Sequence, residues 1–192
     1  MFVPNINIKI MEITTIQILK VLYVLSWIIF IGLCVEAGGF ICSAVYAVGF
    51  NPEAANFLWH GTDLSGVYQY DSGHFLVVAF FMTIVKVFQA LLFYLIVKIL
   101  HKDKLDMQQP FNADMGRFIF NLVYLAFGTA LFSGWGFNYC EWLISQGAVI
   151  PKVYNLGFDS ADVWLFMAVV FFVIGHIFKR GIEIQNEHEL TV

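Results

Sequence analysis

Charge is what this sequence has least of. Only 12% of its 192 residues are Asp, Glu, Lys or Arg, about half the roughly 25% of an ordinary soluble domain. A chain this poor in charge cannot cover a water-facing surface, so much of it is expected to face hydrocarbon. The net charge of −4 gives no basic footprint for nucleic acid, and no direct nucleic-acid contact is expected. Cysteine is equally scarce. Cys34, Cys42 and Cys140 are odd in number, lie in or beside apolar runs and form no CxxC or Cys/His pattern. They read as buried thiols acting as small hydrophobes. Nucleophile elbow, phosphate-binding loop, dinucleotide fingerprint and HExxH helix are all missing. No residue set therefore argues for an enzyme, and no cofactor is expected. Internal repeats and low-complexity tracts are absent as well.

Apolar residues are abundant instead: 60% of the chain, with 21 Phe. Four segments, about 18–49, 74–100, 115–144 and 162–179, each approach or exceed the roughly 20 apolar residues a spanning helix needs. The expected fold is all-α: one integral membrane four-helix bundle occupying 1–192. The first and third segments are longer than a bilayer requires, so they must tilt or protrude. Ser43 to Ala47 resembles a cleavage site. The apolar run before it far exceeds the roughly 7–15 residues of a signal core, so it reads as a retained span. The first ten residues read as a poorly ordered extension, with Met11 as an alternative start.

Orientation follows from the cations. Lys9, Lys20, Lys98, Lys102, Lys104, Arg117, Lys179 and Arg180 fall on one side, and only Lys152 falls on the other. The positive-inside rule then puts both termini in the cytoplasm. Trp59, Trp135, Trp142 and Trp164 with Tyr68, Tyr70, Tyr139 and Tyr154 gather toward the opposite interface, where amphipathic rings belong. Between the first two spans, Asn51 with Pro52 is expected to cap a short helix lying on the membrane surface. Asn112 is expected to cap the third span, after a break at Gln109-Pro110. Residues 147–160, with Pro151, read as a turn-rich loop. Gly39, Ser43 and Ala47, at four-residue intervals, suit close helix approach. Gly134 and Gly136 allow either packing or a helix break.

Candidate functional residues are few. Glu36 and Lys86 are ionisable groups inside apolar spans, where an uncompensated charge costs roughly 2.5–3.5 kcal/mol on insertion scales. Measured from Lys20 and Lys98, their depths differ by about 6 Å at 1.5 Å rise per residue, close enough to pair near mid-bilayer. Gln89, one turn from Lys86, could complete the hydrogen bonding. His176 in the fourth span is a satisfied core histidine or a proton-responsive group. His60 with Asp63 and Asp71 with His74 form a mirrored set that could hold a divalent ion, on loose spacing.

The C-terminal run resembles a specific family. Phe178, Lys179, Arg180, Gly181, Glu183, Leu190, Thr191 and Val192 follow the F-K-R-G-x-E…L-T-V ending of a bacterial four-span membrane family of unknown function. Span count and spacing fit over roughly the whole chain. The resemblance implies no catalytic residues. Genes of that family often lie beside a Cro/Xre-type helix-turn-helix regulator, which implies a membrane protein that restrains a cytoplasmic transcriptional regulator. Arg117, Lys179, Arg180, Glu183 and Glu187 are then the expected docking residues, in a non-enzymatic regulatory scaffold surrounded by membrane lipids. The alternative is a small ion or solute transporter or channel subunit, a homo-oligomer using Glu36, Lys86 and His176 along a polar path. A membrane enzyme or lipid-binding protein relying on the outer aromatics and His60 is a third reading.

Overall fold

The structure is a computed structural model that describes residues 6–101, 112–150, 156–158 and 160–189. Lys102, Lys104, Gln109-Pro110, Pro151, Lys152, Tyr154 and the terminal Leu190-Thr191-Val192 lie outside them. Among the described residues there is no strand, only helix and short turns: α1 (Ile6–Gly49), two 3-10 turns (Pro52–Phe57 and Trp59–Gly61), α2 (Ser65–Tyr70), α3 (Ser72–His101), α4 (Ala113–Ser145) and α5 (Ala161–Glu189). Four of these helices are long and apolar enough to cross a membrane, over Gln17–Gly49, Ser72–His101, Ala113–Ser145 and Ala161–Gln185. The chain is a multi-pass helical membrane protein.

Each long helix packs on its neighbours in sequence, α1 on α3, α3 on α4 and α4 on α5. The pairings are antiparallel. Tyr23 stacks on His101 and Phe30 meets Tyr94 between α1 and α3. Phe88 stacks on Phe132 between α3 and α4. Gly175 faces Phe120, and Gly116 faces Ile182, between α4 and α5. The start of α1, the end of α3, the start of α4 and the end of α5 therefore share one end, here the termini end. The loops after α1 and α4 share the other, the capped end.

The helices run side by side for only part of their length. Ala161, where α5 begins, lies beside Gly134 of α4, so α4 continues past it for about 11 residues, roughly 17 Å. Following the register of the paired residues, the level shared by all four helices runs on α1 from Tyr23, opposite His101 at the end of α3, to about residue 38, opposite the start of α5. That is roughly 22 Å at 1.5 Å per residue. Beyond it, α1, α3 and α4 protrude together past the start of α5.

This protruding end is where the core is. Phe40, Ala44 and Ala47 of α1, Phe75, Val78, Ala79 and Met82 of α3, and Cys140 and Leu143 of α4 are buried there with loop residues Ala55, Leu58, Leu64, Phe158 and others. The loops fold down onto the helices rather than away. Asn51 caps the first 3-10 turn, its side chain accepting from Glu53 N–H at 3.0 Å, but that segment does not simply lie on a surface: Ala55 and Leu58 are buried. Phe158 is 1% exposed and sits in the notch at Gly136, where an added methyl would strike its ring. Ser133 Oγ donates to Phe158 carbonyl at 3.0 Å. The small residues of the Ser133–Gly136 run thus seat a loop, and α4 passes through them unbroken.

Helix ends follow their sequence signals. Asn112 Oδ1 accepts from Met115 N–H at 2.8 Å to cap α4. At the other end Gly147, φ 97°, lets Gly147 N–H reach Ile144 carbonyl and Ala148 N–H reach Leu143 carbonyl, both at 3.0 Å, a Schellman closure that needs the left-handed residue. α1 starts at Ile6, so residues 6–10 are helical. α5 runs to Glu189, well past the expected boundary at 179, because Ile182 finds a seat at Gly116 and Arg180 pairs with Glu183 at 3.0 Å.

Inside the shared span the packing is thinner. A smaller cluster of Leu92, Leu122, Ala126 and Ala168 joins α3, α4 and α5. Hydroxyls satisfy themselves within their own helices, Ser26 to Leu22 carbonyl, Thr83 to Ala79 and Thr129 to Leu125, at 2.7–2.8 Å, as hydrocarbon demands. Cys140 is buried, but Cys34 and Cys42 are exposed. The expectation of three buried thiols fails for those two because the outward face of α1 meets no other helix.

Candidate functional site

Glu36 on α1 and Lys86 on α3 face one another, Lys86 Nζ to Glu36 Oε2 at 2.7 Å. Both are about a quarter to a third exposed, 25% for Lys86 and 30% for Glu36. The second oxygen of Glu36 lies 3.9 Å from His60 Nε2. His60 comes from the loop between α1 and α2, which nothing in the spacing of Glu36 and Lys86 announces. Gln89, half-buried one turn on, makes no hydrogen bond to Lys86 among the described residues.

The loop reaches Glu36 because its tip is folded tightly against α1. Leu58 N–H donates to Thr62 carbonyl at 3.0 Å and Gly61 N–H to Leu58 carbonyl at 2.8 Å, so the tip satisfies much of its own backbone. His60 has φ 61° and ψ 20° and Gly61 φ 71°. Two consecutive left-handed residues reverse the chain. His60 is the only non-glycine with positive φ among the described residues, a conformation costing an L-residue roughly 1–2 kcal/mol. Trp59 holds the tip in place. Its indole covers Gly39, where a methyl group would collide with the ring. Gly39 therefore acts in loop seating rather than in helix-on-helix approach.

By the helix register Glu36 and Lys86 lie at about the level where α5 begins. The pair is roofed by Trp59 and His60. Both ions keep part of their surface exposed, and Lys86 meets a carboxylate that also ties α1 to α3. The arrangement is a three-membered charge cluster that two helices and a loop complete only together.

The other expected residues are placed differently. His74 Nδ1 is 2.6 Å from Tyr139 hydroxyl, within an aromatic group of Tyr70, Tyr139 and Trp142. Asp63 Oδ1 accepts from Ser65 N–H and Oγ, and Asp71 Oδ1 accepts from His74 N–H at 2.9 Å. With His60 turned to Glu36, the mirrored His60, Asp63, Asp71 and His74 set does not converge. Among the described residues no three metal-ligating groups gather. His176 is exposed and lies edge-on to Phe172 at 4.5 Å and Phe120 at 5.7 Å. It is no core histidine, and because α5 packs along α4 while Glu36 joins α1 to α3, the three residues do not line one path.

At the termini end the cations sit on separate surfaces. Arg117 Nη2 is 3.5 Å from Asp114 Oδ1 on the same helix. Arg180 Nη1 donates to Glu183 Oε2 at 3.0 Å. Lys179 and Glu187 are exposed on the same continuous α5. Between α3 and α4 a cleft of about 220 Å³ is lined by Leu95, Lys98, Ile99, Asp114, Arg117, Phe118 and Asn121.

A family model described as a protein of unknown function (DUF2975) matches residues 43–192. The match takes in His60, Lys86 and the whole of α5 and begins just after Glu36 and Gly39. No curated protein and no solved structure matches the chain.

Proposed function

The chain belongs to the DUF2975 family of proteins of unknown function, and we propose that it is a non-enzymatic regulatory scaffold of the bacterial inner membrane. Its termini end, in the cytoplasm, engages a partner such as a helix-turn-helix regulator. The observation that carries the reading is the asymmetry of the two ends. Loops close the capped end over a core. The termini end presents exposed charges and an α5 that runs on for four residues beyond its apolar stretch, from Gln185 to Glu189. Lys179, Arg180, Glu183 and Glu187 recur along that helix at three- and four-residue spacing, which places them on neighbouring faces, and Arg117 adds a cation from α4. Such a surface suits a partner of mixed charge.

In this reading Glu36 and Lys86 form the intramembrane element. Their ion pair holds α1 against α3, and His60 links its state to the capped end. Both termini lie on the cation-rich side. The test is capture: full-length protein in nanodiscs and a truncation after Arg180 are compared in pull-down with the regulator encoded beside the gene. Loss of capture with an unchanged elution profile supports the reading. Capture that survives the truncation refutes it.

A further inference from the structure

We infer that the cleft between α3 and α4 at the termini end is a binding site for an anionic phospholipid headgroup. Its lining divides by chemistry. Lys98 and Arg117 supply two cations, Asn121 an amide donor, and Leu95, Ile99 and Phe118 an apolar wall. Leu95, Lys98 and Ile99 are three and four apart on α3, and Arg117 and Asn121 are four apart on α4, so each helix turns one face to the cleft. The volume of about 220 Å³ admits a phosphodiester with the first carbons below it.

Depth selects a lipid over a soluble anion. Leu95, Lys98 and Ile99 lie two to six residues before the end of α3 at His101, and Asp114 to Asn121 within the first nine residues of α4, so the cleft lies at the termini-end boundary of the shared span. At that level a phosphate can meet cations while acyl chains continue along the apolar wall. Basic pockets between spanning helices on the cytoplasmic side recognise anionic headgroups in this way.

Charge agrees. Lys98 is exposed and has no carboxylate partner among the described residues. Arg117 is 76% exposed and only 3.5 Å from Asp114, a loose contact that leaves donors of its planar fork for a bidentate phosphate. The single carboxylate does not cancel two cations. It orients the guanidinium. The site shares Arg117 with the partner surface proposed above but uses no residue of α5.

Native mass spectrometry of the full-length protein released from mixed vesicles tests this. The vesicles hold phosphatidylglycerol and phosphatidylcholine in equal parts. Wild type should retain phosphatidylglycerol at least tenfold over phosphatidylcholine. Lys98→Ala with Arg117→Ala should lose that preference, and Lys98→Arg with Arg117→Lys should keep it. Lys179→Ala with Arg180→Ala, which removes equal charge outside the cleft, should change retention less than twofold. Equal loss in that control, or retention unchanged in the cleft variant, overturns the proposal. So does displacement of the lipid by millimolar inorganic phosphate, which would assign the cleft to a free anion.

Discussion

The protruding end and the shared span are built from the same apolar alphabet but hold together in different ways. In the protruding end a contiguous core forms, with Phe75, Val78, Leu64, Leu143 and Phe158 nearly inaccessible. In the span, hydrocarbon is as apolar as the side chains and gives no drive to bury them. Val21, Ile28 and Ile31 of α1, and Phe166 and Ile177 of α5, accordingly stay on the outside. Large size and apolarity thus do not mark the core of this protein. Cover by a folded-back loop or a neighbouring helix does.

Identical substitutions in the two regions should separate them most. Gly136→Leu evicts Phe158 and should cost about 3 kcal/mol, read as a large fall in melting temperature by size-exclusion thermostability. Gly32→Leu meets open space and should be neutral or slightly stabilising, since glycine disfavours helix by roughly 1 kcal/mol. Equal losses at both would erase the distinction.

The Glu36–Lys86 pair lies at the border between the regions. Lys86→Met leaves a half-buried carboxylate unpaired and should cost about 2 kcal/mol, between the values for exposed and fully buried pairs. Adding Glu36→Gln should recover much of it. Additive losses would mean that the two groups do not interact. Gly39→Ala pushes the indole of Trp59 off α1 and should cost about 1 kcal/mol, with a wider distance between spin labels at Val35 and Thr62. An unchanged distance would show that the tip is held by something else. Smallest of all, Arg180→Ala at the exposed termini end should move stability by under about 0.5 kcal/mol. A larger change would mean that α5 is packed there after all.

Much of the fold was legible in the chain, because length and apolarity define a spanning helix with little ambiguity. Asn112 and Asn51 announced their caps through local chemistry. The meeting of Glu36 with Lys86 could be anticipated from helix rise alone, counted from Lys20 and Lys98. His60, Trp59 and Phe158 were illegible in their roles. Their partners lie 24, 20 and 25 residues away in sequence, and no period of helix or strand links a loop side chain to a notch on another element. Gly39 and Gly136 were visible as small residues. What fills them depends on how the intervening loops turn back.

His60 gives the loop tip a particular mechanical character. Its backbone is held in an unfavourable twist by neighbours on either side, the indole in its slot and the carboxylate beneath the imidazole. A tip cocked in this way has a ready direction of release: whatever lifts Trp59 lets the twist unwind and draws His60 off Glu36 in the same stroke.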